Sequence, residues 1–192
     1  MKFCTDWLVE LCLRNDFVPE SQLPWLRYCI EKRLSTAIGL FPFFVGAILL
    51  TNIESAVCFV GAFCVLRSRI NGYHAKTLGG CLLVSLVTEL IFLIGLYPVL
   101  TPLSAVLLTL ICIVIMLLLA PFNDSKIHLS EDEVLALKVC VRKRSIILGV
   151  LVFASTMIQL TNITKGLATG TAMAAFMLCL AYMSKKGGST NE

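Results

Sequence analysis

Long apolar runs, separated by short polar connections, are the feature that most constrains how this chain can fold. A helix needs roughly 20 mostly apolar residues to cross the hydrocarbon core of a bilayer. With 192 residues, 58% of them hydrophobic, the chain has room for about six crossings and for no separate soluble domain. The sequence therefore predicts an all-α, polytopic membrane helical bundle whose six spans lie near 36–53, 54–70, 81–100, 103–121, 145–161 and 166–183.

The second of these stretches is the weakest span. Its uncharged part, 55–66, is too short to cross a bilayer alone, so Arg67 and Arg69 would have to extend from the helix end to the interface. A re-entrant segment is the alternative for this stretch.

Residues 1–35 predict two amphipathic helices at the membrane interface. Phe3, Trp7 and Leu11 recur at helical spacing, and 21–35 repeats the pattern with Pro24 near its start. Charges at Asp6, Glu10 and Arg14 interrupt the apolar core that a signal peptide would need, so we expect this segment to belong to the mature protein. The expected organisation is an N-terminal segment 1–35, a membrane bundle 36–184 and a tail 185–192.

The distribution of basic residues predicts the orientation, because cytoplasmic connections carry the excess of lysine and arginine. With the N-terminus inside, fifteen of the 16 basic residues fall on the cytoplasmic side and only Lys165 falls outside. We therefore expect both termini, a loop at 67–81 and a loop at 122–144 on the cytoplasmic side.

The residue types that could perform chemistry are His74 and Cys81. The chain has no HExxH motif, no paired intramembrane aspartates and no GxSxG elbow. A cysteine protease needs a thiolate nucleophile and an imidazole that first accepts and then returns a proton. On one straight helix seven residues rise about 10.5 Å, too far for a hydrogen bond. We therefore expect the chain to fold back at Gly79 and Gly80, where glycine allows the required backbone angles.

Cys81 should open the third span, where the positive end of a helix favours its thiolate form. Arg67, Arg69 and Lys76 would add to this effect, while apolar surroundings would oppose it. The ordinary alternative is a solvated loop histidine beside a packing cysteine. We assign packing, without disulfides, to Cys58, Cys64, Cys112 and Cys179.

The stretch "RSRINGYHAKTLGGC" resembles the accessory gene regulator protein B (AgrB) family of bacterial membrane cysteine endopeptidases. Five residues match the family's pattern, while Asn71 stands where the family has a first glycine; the matching residues are Arg69, Gly72, His74, Ala75 and Cys81. The segment 120–133, "APFNDSKIHLSEDE", looks like the family's loop after its fourth span.

This resemblance implies that the chain cleaves the C-terminal part of a short quorum-sensing propeptide of the AgrD type. Cys81 would form an acyl-enzyme thioester, with His74 acting as base and then as acid. A cysteine or serine of the substrate would displace the enzyme, giving a thiolactone or lactone autoinducing peptide. The resemblance also implies a bacterial cell membrane location, a substrate with an amphipathic leader and an acidic tail, and no metal or cofactor. A homodimer in the lipid bilayer is expected, and nucleic acid is not a partner.

Residues 138–144, "KVCVRKR", are a plausible electrostatic dock for such an acidic tail through Lys138, Arg142, Lys143 and Arg144. The same cluster is also what a positive-inside topology signal would contain, and both readings stay open.

Glu89 is the only acid well inside a predicted span, and such a carboxyl is a functional candidate. It lies about 12 Å along a helix from Cys81, too far to orient His74, so we leave it out of the catalytic set. Gln159, Asp124 or a backbone carbonyl could orient the imidazole instead. The competing function is a small peptide exporter in which Glu89 and the glycine-containing sixth span, with Gly166 and Gly170, line a pathway.

Overall fold

The computed structural model describes residues 2–14, 23–70, 78–122 and 130–188. Throughout these residues the chain is helical and forms no strand, which confirms the all-α prediction. The described part contains seven α-helices: α1 (Lys2–Arg14), α2 (Leu23–Leu50), α3 (Ile53–Ile70), α4 (Leu78–Leu90), α5 (Pro102–Leu119), α6 (Glu131–Met157) and α7 (Thr161–Gly188). After α4 the chain continues as a π-helical turn, Ile91–Leu96, and a 3₁₀ turn, Tyr97–Val99.

Three described helices are long and apolar enough to cross a membrane: Gly80–Val99, Pro102–Leu119 and Thr161–Ser184. They correspond to the third, fourth and sixth predicted spans. The first span is represented by a shorter apolar helix, Gly39–Leu50. In α3, Glu54, Arg67 and Arg69 reduce the apolar length, and in α6 the charged first half does the same. The count of six spans stays a prediction.

The chain forms two compact units, Met1–Phe43 and Phe44–Glu192. In the first unit, Arg27 of α2 forms an ion pair with Asp6 of α1 and lies 3.9 Å from Glu31 one turn later. Thr5 and Val9 of α1 are buried, while Trp7 and Leu11 of the predicted apolar face are exposed.

Helix α7 is the core of the second unit, because α3, α5 and α6 all pack against it. Two glycines make its contact with α3 close. A Cβ added to Gly166 would lie 2.5 Å from the carbonyl oxygen of Ser55, and one added to Gly170 would meet the carbonyl oxygen of Phe59. Such small-residue contacts let the backbones of membrane helices approach each other. These glycines therefore form a helix contact, which argues against a pathway along this face of α7.

Helices α5 and α6 begin with capping boxes. Thr101 and Ser104 exchange hydrogen bonds at the start of α5, and Ser130 and Glu133 do so at the start of α6. A box of this kind satisfies two amide donors that the first turn of a helix leaves without intrahelical partners.

The helix boundaries differ from the expected ones in two places. Helix α2 is unbroken from Leu23 to Leu50, so the second amphipathic segment and the first apolar stretch are one element. Helix α6 begins at Glu131, so most of the expected loop 122–144 is helical. The capping box at Ser130 explains this early start, and it places residues 138–144 on a helix surface.

Candidate active site

Cys81 is the fourth residue of α4 and therefore lies in the first turn of that helix. Its free thiol is half-buried. The helix that carries it begins the apolar segment Gly80–Val99, in agreement with the expectation that Cys81 opens the third span. A cysteine in the first turn experiences the positive end of the helix, which favours a negative charge on sulfur.

Arg67, in the last turn of α3, lies beside Cys81 and interacts electrostatically with its side chain. A cation close to a sulfur atom stabilises a negative charge there. Arg69 lies two residues further along the same helix and is exposed to solvent. Of the two arginines named from the sequence, the structure therefore brings Arg67 to the thiol.

Two contacts hold the end of α3 in place. Nη1 of Arg144, on α6, donates hydrogen bonds to the carbonyl oxygen of Val65 (2.5 Å) and to Oγ of Ser68 (2.8 Å). The amide of Phe122, just after α5, donates to the carbonyl oxygen of Ile70 at 3.0 Å. Contacts from α6 and from the residue just after α5 thus fix the turn from which Arg67 extends.

The Phe122 anchor is itself supported by α7. The rings of Phe122 and Tyr182 meet edge to face with centroids 4.9 Å apart. The hydroxyl of Tyr182 donates to the carbonyl oxygen of Leu119 at 2.6 Å. Sequence reasoning missed this anchor, because no local motif links an aromatic after α5 to the end of α3 or α7.

The expected backbone reversal at Gly79 and Gly80 is wrong. Both glycines lie in the first turn of α4, and no described glycine has a positive φ. Because the N-terminal turn of a helix tolerates glycine, the apolar run of α4 extends three residues further towards the N-terminus than expected. The predicted loop 67–81 is correspondingly shorter, since its first residues belong to α3.

The predicted base, His74, and the neighbouring Gly72 lie outside the described residues. The four basic residues of 138–144 differ in their surroundings on α6. Lys138, Arg142 and Lys143 are exposed, whereas Arg144 is bound to α3.

Glu89 lies near the end of α4, on the same face as Cys81 and Ser85 by helical spacing. It is 1% exposed, and its Oε1 has no hydrogen-bond partner among the described residues. The carboxyl lies against Gly46 of α2, where an added Cβ would be 3.2 Å from Oε1. Glu89 and Cys81 are eight positions apart along the helix and are therefore separated by about 12 Å.

The family model of accessory gene regulator B (AgrB) matches residues 5–178 of the chain. The chain belongs to the AgrB family. Its apolar helices and this membership indicate a membrane protein. AgrB proteins are known for peptide processing, so membership suggests a role in processing the agr quorum-sensing peptide and implies an AgrD-type propeptide as partner. Neither the curated proteins nor the solved structures gave a significant match.

Proposed function

We propose that this AgrB-family chain is a membrane cysteine endopeptidase that cleaves the C-terminal part of an AgrD-type propeptide and allows its cyclisation. The observation that carries the proposal is the position of Arg67 beside Cys81, where the two side chains interact electrostatically. A thiol at the start of a helix, with a guanidinium group beside it, is in an environment that supports nucleophilic attack.

In the proposed reaction, His74 accepts the thiol proton while the sulfur of Cys81 attacks the scissile carbonyl carbon. Collapse of the tetrahedral intermediate breaks the C–N bond, and the imidazolium returns its proton to the departing amine. The peptide is then held by a thioester to Cys81. A thiol or hydroxyl of the substrate attacks this thioester, forms a thiolactone or lactone, and returns a proton to the Cys81 sulfur.

The helical start of α4 restricts the geometry of this reaction. Because the helix of Cys81 already begins at Leu78, the fold-back that brings His74 to the sulfur has to come before Leu78. Water must also be kept from the thioester until the ring closes, and a site at a membrane interface limits its access.

Basic residues on the exposed surface of α6 support the binding of an acidic substrate tail. Lys138, Arg142 and Lys143 are all exposed on this helix and can attract an acidic segment over several ångströms. Arg144 has a different proposed role, because its side chain holds the end of α3 and thereby positions Arg67.

The test is co-expression of the chain with its propeptide, comparing wild type with Cys81→Ala and His74→Ala by gel and mass spectrometry. Both variants should accumulate at normal levels and leave the propeptide intact. Undiminished cleavage by Cys81→Ala would overturn the proposal. Cyclised product inside cells that express a cleavage-competent variant, with none outside, would show that export is a separate activity.

A further inference from the structure

A groove between α5 and α6 includes neither Cys81 nor Arg67 among its lining residues. Deeper in the bundle the two helices touch where Gly149 meets Ile113, whose Cδ1 would be 2.8 Å from an added Cβ. Towards the end of α5 the space between them opens into a groove of about 230 Å³. Its floor consists of buried residues: Met116, Ala120 and Val141.

The walls and the rim of this groove differ in chemistry. Its walls are apolar side chains that are 45–62% exposed: Leu117, Leu135 and Val139. Its rim carries Lys138 and Arg142, which are exposed and one helical turn apart on α6. An apolar channel thus leads to a pair of cations.

Neither cation is neutralised within the described part of the chain. The positions three and four residues away on either side of Lys138 and Arg142 are uncharged, apart from the pair itself. The carboxylates of the first turn of α6, Glu131, Asp132 and Glu133, lie at the opposite end of this helical segment, and Glu133 is bonded to Ser130.

We propose that this groove binds an anionic phospholipid. Its acyl chain lies against Leu117, Leu135 and Val139, and its phosphate binds Lys138 and Arg142. The groove meets the end of Pro102–Leu119, an apolar helix of membrane-spanning length, so acyl chain and headgroup each meet matching surface. Basic pockets between membrane helices bind anionic headgroups in this way.

The lining favours a lipid over an acidic peptide. The groove is lined by six apolar residues and two cations. A run of carboxylates placed there would lose its water without gaining enough hydrogen bonds in return, and such desolvation costs free energy. A phospholipid presents one anionic group and a chain that gains from leaving water. The peptide tail can still be attracted to the exposed cations at longer range.

The test uses the purified full chain and counts retained lipids by native mass spectrometry after equilibration with phosphatidylglycerol or phosphatidylcholine. Wild type should retain phosphatidylglycerol in preference to phosphatidylcholine. Arg142→Gln should weaken this retention roughly fivefold, the value of one basic residue near an anionic lipid surface. Lys143→Gln, the same charge change one residue away and outside the groove, should leave it unchanged.

A second pair of variants tests the apolar part of the groove separately from its charged rim. Val139→Trp fills a wall of the groove and should lower phosphatidylglycerol retention without changing any charge. Ile147→Trp, on an exposed apolar position of the same helix outside the groove, should not. Helix content measured by circular dichroism shows whether each variant is folded.

Three results would overturn the proposal. The first is equal loss of phosphatidylglycerol in Arg142→Gln and Lys143→Gln, or no loss in either. The second is retention of soluble glycerol phosphate as strong as retention of phosphatidylglycerol, since this would make the groove a phosphate site. The third is displacement of phosphatidylglycerol by a soluble acidic peptide at similar concentration, since this would make it a peptide site.

Discussion

The guanidinium group of Arg67, at the end of α3, lies beside Cys81 at the start of α4, and the two side chains interact electrostatically. The two residues come from different helices, so the contact depends on how the end of α3 is held against the start of α4. Arg144 and Phe122 hold that end through the carbonyl oxygens of Val65 and Ile70.

The first prediction concerns this contact. Arg67→Gln should slow propeptide cleavage roughly 10- to 150-fold, because a hydrogen bond from the guanidinium group to the charged sulfur formed in the reaction would contribute about 1.5–3 kcal/mol. Alkylation of the Cys81-containing peptide by iodoacetamide, followed by mass spectrometry, should slow as well. Arg67→Lys should restore part of both rates, since it keeps the charge but loses the planar group.

The matched control is Arg69→Gln, which removes the same charge from an exposed position two residues away. Its rates of propeptide cleavage and of Cys81 alkylation should stay within about threefold of wild type, as expected for an exposed cation screened by solvent. Equal losses in Arg67→Gln and Arg69→Gln would contradict a specific role for the Arg67 contact.

The position of Cys81 at a helix start could be predicted from sequence, because an apolar run of helical length begins there. Its partner could not. Arg67 and Arg69 have the same residue type and lie close together at one helix end, and only the packed bundle distinguishes them. The two glycines before Cys81 were misinterpreted for a related reason. Glycine permits a reversal but does not require one, and the neighbouring apolar residues extend α4 through both.

The border between α5 and α6 illustrates the same limit. Residues 131–144 are polar enough for a loop, but Ser130 and Glu133 form a capping box that starts a helix before the apolar part. A capping box is visible in sequence, whereas the hydrogen bond of Arg144 to α3 is a long-range contact that no local pattern contains. The glycines of α7 could be assigned to close packing only as one of two alternatives until their partners were known.

The second prediction concerns packing between α3 and α7. Gly170→Ala should lower the free energy of unfolding by about 1–3 kcal/mol, because its Cβ would meet the carbonyl oxygen of Phe59 and force the helices apart. Thermal unfolding in detergent would measure this. Gly61→Ala on α3 is the control, because nothing lies within 4 Å of its added Cβ. It should be neutral or stabilise by up to about 1 kcal/mol. A similar loss in both variants would mean that the α3–α7 contact is not the cause.

The third prediction concerns pH. Hydrogen bonds from the backbone amide and side chain of Ser130 lower the pKa of the Glu133 carboxyl below its ordinary value. Because the folded pKa is the lower one, the ionised carboxylate stabilises the start of α6 above the unfolded pKa, and this stabilisation is lost as pH falls through the folded pKa. Amide hydrogen exchange in the first turn of α6 should therefore become less protected as pH falls below about 4.5, after correction for intrinsic rates.

Glu133→Gln should remove this pH dependence, since its amide keeps a similar shape without the titratable group. Asp132→Asn removes a carboxyl from the same turn but leaves the Ser130–Glu133 pair, so it should retain the dependence. If Asp132→Asn abolishes it and Glu133→Gln does not, the capping box is not its source.

The fourth prediction concerns Glu89, whose buried Oε1 has no hydrogen-bond partner in the described part of the chain. Burying such an atom costs about 1–3 kcal/mol, so Glu89→Leu, which fills a similar volume against Gly46, should raise the free energy of unfolding by that order. Thr88→Val, next to it, removes a hydroxyl that is bonded to the carbonyl oxygen of Val84 at 2.7 Å, so it should bring no such gain.

Since Glu89 lies about 12 Å from Cys81 along α4, Glu89→Gln should leave propeptide cleavage within about threefold of wild type. If Glu89→Gln and Glu89→Leu both lost cleavage while their unfolding temperatures stayed at or above that of wild type, the carboxyl would have a role in the reaction. A carboxyl with only a structural role would lower activity by lowering stability.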